Sequence, residues 1–261
     1  MQVITLLNEK GGVGKTSLSR HIAAGLALSG QHVLLVDADP QGSSTTQMQL
    51  APYGGLYRLL VQNESWDVVM MGGVPPVAAW AGDMETSGSL QVLRGNEETR
   101  GIANMVADVT KFQKRLAELN GLFDTVIIDT SPTPSMLQPI IYIATDSLLY
   151  PTNAQLMSLE GLNQSIERMK ELNRTRKQFG LQTADILGIV PTMVRNTSAH
   201  ASGMQMLVDH FGSGSIYPAL SMATVWQDAE FVRQTLYTFA PTHEATRQMH
   251  DVMSRLHADI A

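Results

Sequence analysis

The sequence contains no cysteine and no apolar run long enough to cross a membrane. Without thiols, the chain can form no disulfide, no thiolate zinc site and no cysteine-ligated iron–sulfur cluster. A membrane-spanning helix needs about 20 consecutive apolar residues, and no stretch approaches that length. Residues 1–7 begin a strand pattern directly, instead of a charged leader followed by an apolar signal. We therefore expect a cytoplasmic protein with no membrane segment.

Positive charge is also scarce. The formal net charge is −6 at pH 7, which gives no global attraction to nucleic acid, so any contact with DNA must come from a local basic patch. The candidates are the densest basic run and two further arginines: Arg168, Lys170, Arg174, Arg176, Lys177, Arg195 and Arg233. The alternative is that the run is only a solvated helix end, where cations interact favourably with the helix dipole.

The chain does have enough apolar material for one large core. It has 261 residues, of which 44% are hydrophobic, and α/β folds of this length commonly form a single domain. Predicted strands cover residues 3–7, 31–36, 89–93, 123–128, 147–151 and 185–190, with a short one near Ile216. Predicted helices cover residues 16–29, 56–62, 98–119, 155–179, 199–211 and 243–260, and residues 63–88 predict an irregular surface segment. This alternation predicts one α/β domain over residues 1–261, a doubly wound, mostly parallel sheet with helices on both faces.

A glycine-rich loop joins the first predicted strand to the first predicted helix. It reads Lys10-Gly11-Gly12-Val13-Gly14-Lys15-Thr16-Ser17. Glycines there let successive backbone N–H groups turn toward one phosphate, while Lys15 can reach the β- and γ-phosphates and Thr16 can bind Mg²⁺. The usual P-loop spacing would put a glycine at position 9, where this chain has Glu9. The sequence therefore predicts a P-loop NTPase-like fold with a variant loop.

Carboxylates follow two of the predicted strands. Asp37 and Asp39 end the strand at residues 31–36, and Asp129 follows the strand at residues 123–128. Ligand sites of parallel sheets lie outside the carboxyl ends of the strands, and an aspartate there can hold Mg²⁺ through water, as in a Walker B motif. The alternative for Asp39 is a capping carboxylate for the helix after Pro40. We interpret Asp124 as a surface carboxylate that begins its strand.

These motifs together resemble the ParA group of deviant Walker A ATPases, within the ParA/MinD superfamily. The resemblance rests on the loop at residues 10–16, on Asp37-Ala38-Asp39-Pro40-Gln41-Gly42, and on Asp129-Thr130-Ser131-Pro132. Ser158-Leu159-Glu160-Gly161-Leu162 also resembles a segment of that group. The resemblance implies a sandwich homodimer that depends on ATP and Mg²⁺, with slow hydrolysis stimulated by a ParB-like adaptor. It also implies nonspecific binding to nucleoid DNA and the positioning of a plasmid, a chromosome or another cargo.

The resemblance also implies roles for individual residues. Lys10 corresponds to the lysine that reaches the partner subunit's phosphates, Lys15 to the phosphate lysine in cis, and Asp39 to the carboxylate that places the attacking water. Magnesium would be held by Thr16 and by Asp129 through water, with Asp39 through water as a further candidate. The nucleotide-binding set is Lys10, Gly11, Gly12, Val13, Gly14, Lys15, Thr16 and Ser17, with Thr192, Met193 and Pro218 at the adenine. A side chain at Gly12 would obstruct the second subunit.

Two other functions remain open from the sequence. A MinD-like regulator would bind membranes through the last helix, but its polar face mixes acidic and basic residues, which favours packing on the core. A metabolic P-loop enzyme would turn over ATP on a small substrate without any partner. Against nonspecific DNA binding, residues 200–214 contain no lysine or arginine where relatives that bind DNA usually carry arginines.

Overall fold

A parallel β-sheet organises the protein, which we describe from a computed structural model covering residues 1–133, 137–153, 156–178 and 180–261. Its strands in the described residues are β1 (Gln2–Leu6), β2 (His32–Ala38), β3 (Ser89–Leu93), β4 (Thr125–Thr130), β5 (Ser147–Asn153) and β6 (Asp185–Thr192). Their order is β3-β2-β4-β1-β5-β6, with every pair parallel. The short strand predicted near Ile216 is reduced to isolated bridges, one of which pairs Ile216 with Ile189.

Helices cover both faces of this sheet, as predicted. They are α1 (Lys15–Leu28), α2 (Ser43–Gln47), α3 (Gly55–Leu60), α4 (Trp66–Met70), α5 (Val77–Trp80), α6 (Ile102–Met105), α7 (Lys111–Ala117), α8 (Leu137–Ala144), α9 (Leu156–Gln178), α10 (Ser198–Phe211), α11 (Thr224–Phe231), α12 (Leu236–Phe239) and α13 (Glu244–Ile260). In β2, Leu34 and Val36 join one buried cluster, whereas Val33 and Leu35 join the other. This alternation follows from the two-residue period of a strand and produces a core on each side. The doubly wound α/β fold is confirmed.

The single helix predicted over residues 98–119 is wrong. The chain instead forms a 3₁₀ turn at Glu97–Gly101, then α6, then α7. Val106 leaves the helical region, and Asp108 Oδ1 accepts hydrogen bonds from the backbone and hydroxyl of Thr110. Such a local side-chain turn competes with helix continuation.

Other elements also differ from the prediction. The predicted irregular segment at residues 63–88 contains the short helices α4 and α5, with Val69 and Trp80 buried. The helix α8 was not predicted because its eight residues are almost all apolar, and so short an apolar run cannot be told from a buried strand by periodicity. The helix predicted at residues 155–179 is present as α9, but positions 155 and 179 lie outside the described residues, as does Pro134 after the Walker B segment.

The last helix packs on the core, as its pattern predicts. Ala245, Met249, Val252, Met253 and Leu256 are buried along one face of α13. A membrane-surface helix needs its apolar face free for lipid, and this face is occupied by the protein's own interior.

Across the described ranges of the chain, no helix has the length and apolar character needed to span a bilayer.

Arg176 is a structural residue, which corrects its assignment as a DNA-binding candidate. Only 1% of its surface is exposed, and its Nη1 donates to the carbonyls of Tyr142 (2.6 Å) and Thr145 (2.8 Å). Its Nε donates to the Gln182 carbonyl. These bonds tie α9 to the turn between α8 and β5, and burial lowers the pKa of the guanidinium.

We expect Arg176→Ala to lower the free energy of unfolding by about 3 kcal/mol, because it leaves three carbonyls without their donor. Urea unfolding measures this loss. Arg174→Ala, an exposed arginine two residues earlier on the same helix, is the matched control and should change stability by less than about 0.5 kcal/mol. Equal effects for the two variants would contradict the structural role.

Candidate nucleotide site

The candidate site lies where β2, β4 and β1 end side by side. The register pairs Asp129 with Leu6 on one neighbour and with Asp37 on the other. The glycine-rich loop leaves β1 at the same edge, so the loop and the three predicted carboxylates converge. This convergence follows from parallel strands with ends in register, and it is the expected position of a ligand in an open α/β sheet.

Backbone conformation shapes the loop around its centre. Asn8 fixes its entry, since Nδ2 donates to the Pro151 carbonyl (2.8 Å) and Oδ1 accepts from the Lys10 backbone N–H (2.8 Å). Gly12 and Gly14 have φ values of +70° and +82°, which side chains rarely adopt. Gly14 is the N-cap residue of α1, so the loop delivers the chain directly to the helix N-terminus. Backbone N–H groups and the helix dipole there favour an anion.

Lys15 lies inside the loop and is only 6% exposed. Its Nζ donates to the Lys10 carbonyl at 3.1 Å. Burial lowers the pKa of Lys15, and the negative charges of Asp129 and Asp39 oppose that shift. Within the described parts of the chain, this buried ammonium group has one hydrogen-bond acceptor and two carboxylates nearby, so it is well placed to bind a phosphate oxygen.

Asp129 is fully buried, and its carboxylate accepts hydrogen bonds from several hydroxyl groups. Ser44 Oγ donates to Oδ2 (2.7 Å), Ser19 Oγ donates to Oδ1 (3.3 Å), and Thr16 also bonds this carboxylate. Burial raises the pKa of Asp129, against the effect of these hydrogen bonds. Carboxylate and hydroxyl oxygens are ligands that Mg²⁺ accepts directly or through water, so Thr16 and Asp129 fit a magnesium site. Ser44 was not predicted, because it lies two residues beyond the Asp-Pro-Gln-Gly segment and belongs to no motif.

Asp37 and Asp39, the two carboxylates after Val36, have different environments and hydrogen-bond partners. Asp37 is buried and accepts from the backbone and hydroxyl of Thr45 (2.8 and 2.7 Å), which anchors α2. Burial, with the neighbouring Asp129, raises the pKa of Asp37 to about 7. Asp39 is 8% exposed, and its Oδ1 accepts from the Gln41 backbone N–H (2.9 Å). The next helix is capped at Gly42, so Asp39 forms a local turn instead of the alternative helix cap.

A recess opens beside the start of α1. It has a volume of about 310 Å³, and its described lining includes Gly14, Thr192 and Met193. Thr192 Oγ1 donates to the Val13 carbonyl (2.8 Å), so the end of β6 is tied to the loop. Pro218 lies outside this described lining. Sequence reasoning missed Leu220, Met222, Trp226, Gln227 and Glu230, which line the recess from segments that carry no nucleotide motif.

The non-glycine residue at position 9 has a partner. Glu9 forms an ion pair with Arg168 of α9, whose side chain is 46% exposed. Glu9, just before Lys10, is therefore bound to α9, the helix that also carries basic candidates for DNA binding. Lys10 itself is half-buried, and its backbone N–H binds Asn8.

Comparison with known proteins agrees with this geometry. Residues 1–182 match the family described as AAA domain. The chain is 30% identical to the chromosome partitioning protein ParA of Caulobacter vibrioides over 227 residues, 84% of this chain and 80% of that protein. Apo McdA of Cyanothece has a TM-score of 0.78 at 19% identity, covering 98% of this chain and 99% of McdA.

A further neighbour was solved with its ligands. Cobyrinic acid a,c-diamide synthase of Mycobacterium smegmatis, with a bound ATP analogue and magnesium, has a TM-score of 0.65 at 25% identity and covers 89% of this chain and 91% of its own. Nucleotide and magnesium binding therefore occur among proteins of this fold. The variant loop, the strand-end aspartates and the match to a partitioning protein agree with one another, and the chain belongs to the ParA/MinD family of P-loop ATPases that partition or position cargo.

Proposed function

We propose that two copies of this protein sandwich ATP and Mg²⁺, and that slow hydrolysis resets the dimer in a cycle that positions a cargo on nucleoid DNA. The cargo would be a plasmid, a chromosome or another large body, and a ParB-like adaptor would stimulate hydrolysis. The observation that carries the proposal is the cluster of Lys15, Asp129 and Asp39 at the loop that also presents Lys10.

The residues divide the phosphoryl transfer between them. Lys15 and the loop N–H groups of residues 11–16 hold the β- and γ-phosphates, while Thr16 and Asp129 hold Mg²⁺, the latter through water. Asp39 orients the attacking water and can contact Mg²⁺ through a further water. Phosphoryl transfer needs little covalent help from the protein. Its main contribution is therefore to place cations beside the negatively charged phosphate oxygens. Lys10 supplies such a cation to the neighbouring subunit's γ-phosphate.

The approach of that second subunit needs an open loop face. A Cβ added to Gly12 would have no atom of the described residues within 4 Å, so that part of the protein leaves this face of the loop open. The adenine fits the 310 Å³ recess beside Thr192 and Met193, because apolar side chains line most of it and Gly14 and Ser17 connect it to the loop. Pro218 does not belong to the described lining of the recess, so it would contact the base only where the base extends beyond the recess.

Light scattering after gel filtration tests the nucleotide switch. We expect a dimer with Mg²⁺ and a nonhydrolysable ATP analogue and a monomer with ADP, because only the γ-phosphate offers Lys10 a ligand across the interface. Lys15→Ala is the control. This variant should stay monomeric with either nucleotide, because it lacks the lysine that binds the β- and γ-phosphates. A monomer under every condition would remove the sandwich from the proposal.

DNA binding is assigned to one face of α9. Lys170, Arg174 and Lys177 are exposed and follow one another at helical i, i+4 and i+7 spacing. Lys170 pairs with the exposed Glu167 of the same helix (2.6 Å), a contact that a DNA phosphate can replace at small cost, whereas Arg168 is tied to Glu9 of the loop. Arg195 lies against Met222, and Arg233 follows α11. Three cations on one helix face can track successive phosphates without reading bases.

Replacing Lys170, Arg174 and Lys177 together by glutamate should weaken binding of random duplex DNA by the ATP-bound protein at least tenfold. The slope of log affinity against log salt should also fall, by about 1 for each DNA phosphate that the variant no longer neutralises. Fluorescence anisotropy over a salt series measures both quantities. Charge reversal of Lys111 and Lys114 on α7 is the control, and equal effects of the two sets would reject α9 as the DNA face.

A further inference from the structure

A pocket with Asp39 in its wall opens beside the strand ends. It has a volume of about 270 Å³ and lies between the segment after β2, the segment after β4 and the start of α6. Its wall includes Asp39, Arg100, Ala103, Ser131, Pro132 and Thr133. Liquid water occupies about 30 Å³ per molecule, so the pocket has room for a phosphate ion and several waters.

The pocket adjoins the nucleotide loop. A Cβ built on Gly11 would lie 3.9 Å from Pro132 Cγ, so this wall residue stands against the P-loop. Asp39 belongs to the pocket wall, and its negative charge also opposes the lowering of the Lys15 pKa that burial causes. The same carboxylate therefore acts electrostatically on the phosphate lysine and also lines the pocket.

In-line phosphoryl transfer fixes the direction in which the product moves. The water oxygen bonds to the γ-phosphorus as the bond to the bridging oxygen breaks; ADP keeps that electron pair, and the water's protons pass to the phosphate and to solvent. The transferred group moves away from ADP, toward the side from which water attacked. If Asp39 orients that water, the phosphate moves toward this pocket.

We propose that this pocket is an orthophosphate subsite, through which the product of hydrolysis leaves and in which Arg100 is its cationic ligand. The inference rests on the proposed ATPase cycle. Among the described residues, Arg100 is held by an exposed pair with Glu97 alone (2.9 Å, 60% and 70% exposed), which a phosphate can replace at small cost. The hydroxyls of Ser131 and Thr133 add donors. Asp39 lies on the same wall and repels the dianion, so its charge weakens binding and favours release of the product to solvent.

Equilibrium dialysis of radiolabelled orthophosphate tests the subsite. A nonhydrolysable ATP analogue with Mg²⁺ fills the γ-position first, so that added phosphate cannot bind there. Saturable binding is expected, and Arg100→Gln should weaken it roughly tenfold, because the variant removes a charge-assisted bidentate hydrogen-bond donor. Ala103→Phe should also weaken it by filling the pocket. Arg247→Gln is the matched control, since Arg247 forms the same kind of exposed i, i+3 pair, with Glu244 on α13.

The outcomes are separable from those of the ATPase cycle. Absence of saturable binding to the analogue-loaded protein, or equal affinity in Arg100→Gln and the wild type, rejects the subsite even if the nucleotide-dependent dimer forms. Failure of the analogue itself to bind rejects the proposed function, and repeating the dialysis without nucleotide then still reports on Arg100. In that experiment, unchanged phosphate binding in both Arg100→Gln and Ala103→Phe would overturn the subsite as well.

Discussion

Asp39→Ala should reduce ATP hydrolysis at least ~100-fold while the protein still binds ATP and stays dimeric, because a group that orients the attacking water contributes about 10²- to 10⁴-fold. Lys15, Thr16 and Asp129 remain in place in this variant, so the phosphate and magnesium contacts persist. Removing a carboxylate beside the γ-phosphate also relieves repulsion. Measurement combines phosphate release under partner stimulation with light scattering of the ATP-loaded protein.

Asp124→Ala provides the control for that substitution. Asp124 precedes β4 at the opposite end of the sheet, where its exposed carboxylate accepts a bond from the His32 backbone N–H (2.8 Å). It should leave hydrolysis unchanged. If Asp39→Ala abolished the dimer together with hydrolysis, Asp39 would support the local fold, through its bond to Gln41, instead of the reaction.

The layout of the site was predictable because it follows from chain direction. Parallel strands end at one edge, so motifs that follow β1, β2 and β4 must meet there whatever the details of the helices. The pairing of Asp37 with Asp129 across neighbouring strands is the result. Strand order was not needed for this prediction, and the sequence did not supply it.

What the sequence did not predict depends on contacts between distant segments. Ser44 and Thr45 carry no motif, yet they hold Asp129 and Asp37 because α2 folds back over the strand ends. Arg176 looks like one more cation in a basic run, and only the carbonyls around it identify it as structural. The helix α8 is short and almost entirely apolar, so periodicity could not distinguish it from a buried strand.

The second large effect concerns the subunit to which Lys10 contributes. Lys10→Ala should reduce stimulated hydrolysis by about 10³-fold or more, as removal of an in-trans cation does in phosphoryl transfer. Mixing Lys10→Ala with Asp39→Ala, each nearly inactive alone, should restore activity. In a mixed dimer, the subunit carrying Lys10→Ala keeps its own Asp39 and receives the lysine of its partner. The opposite site lacks both groups.

Random pairing would make half of the dimers mixed, each with one working site, so the mixture should reach at most roughly a quarter of wild-type turnover, and less if loss of Lys10 weakens pairing. The assay is phosphate release at a fixed total protein concentration, with the ratio of the two variants varied; the maximum should fall at equal amounts. Lys15→Ala mixed with Thr16→Ala is the control, because both residues act in cis at one nucleotide and no mixed site contains a complete set. If Lys10 acted within its own subunit, neither site of the mixed dimer would combine Lys10 with Asp39, and no ratio of the two proteins would recover activity.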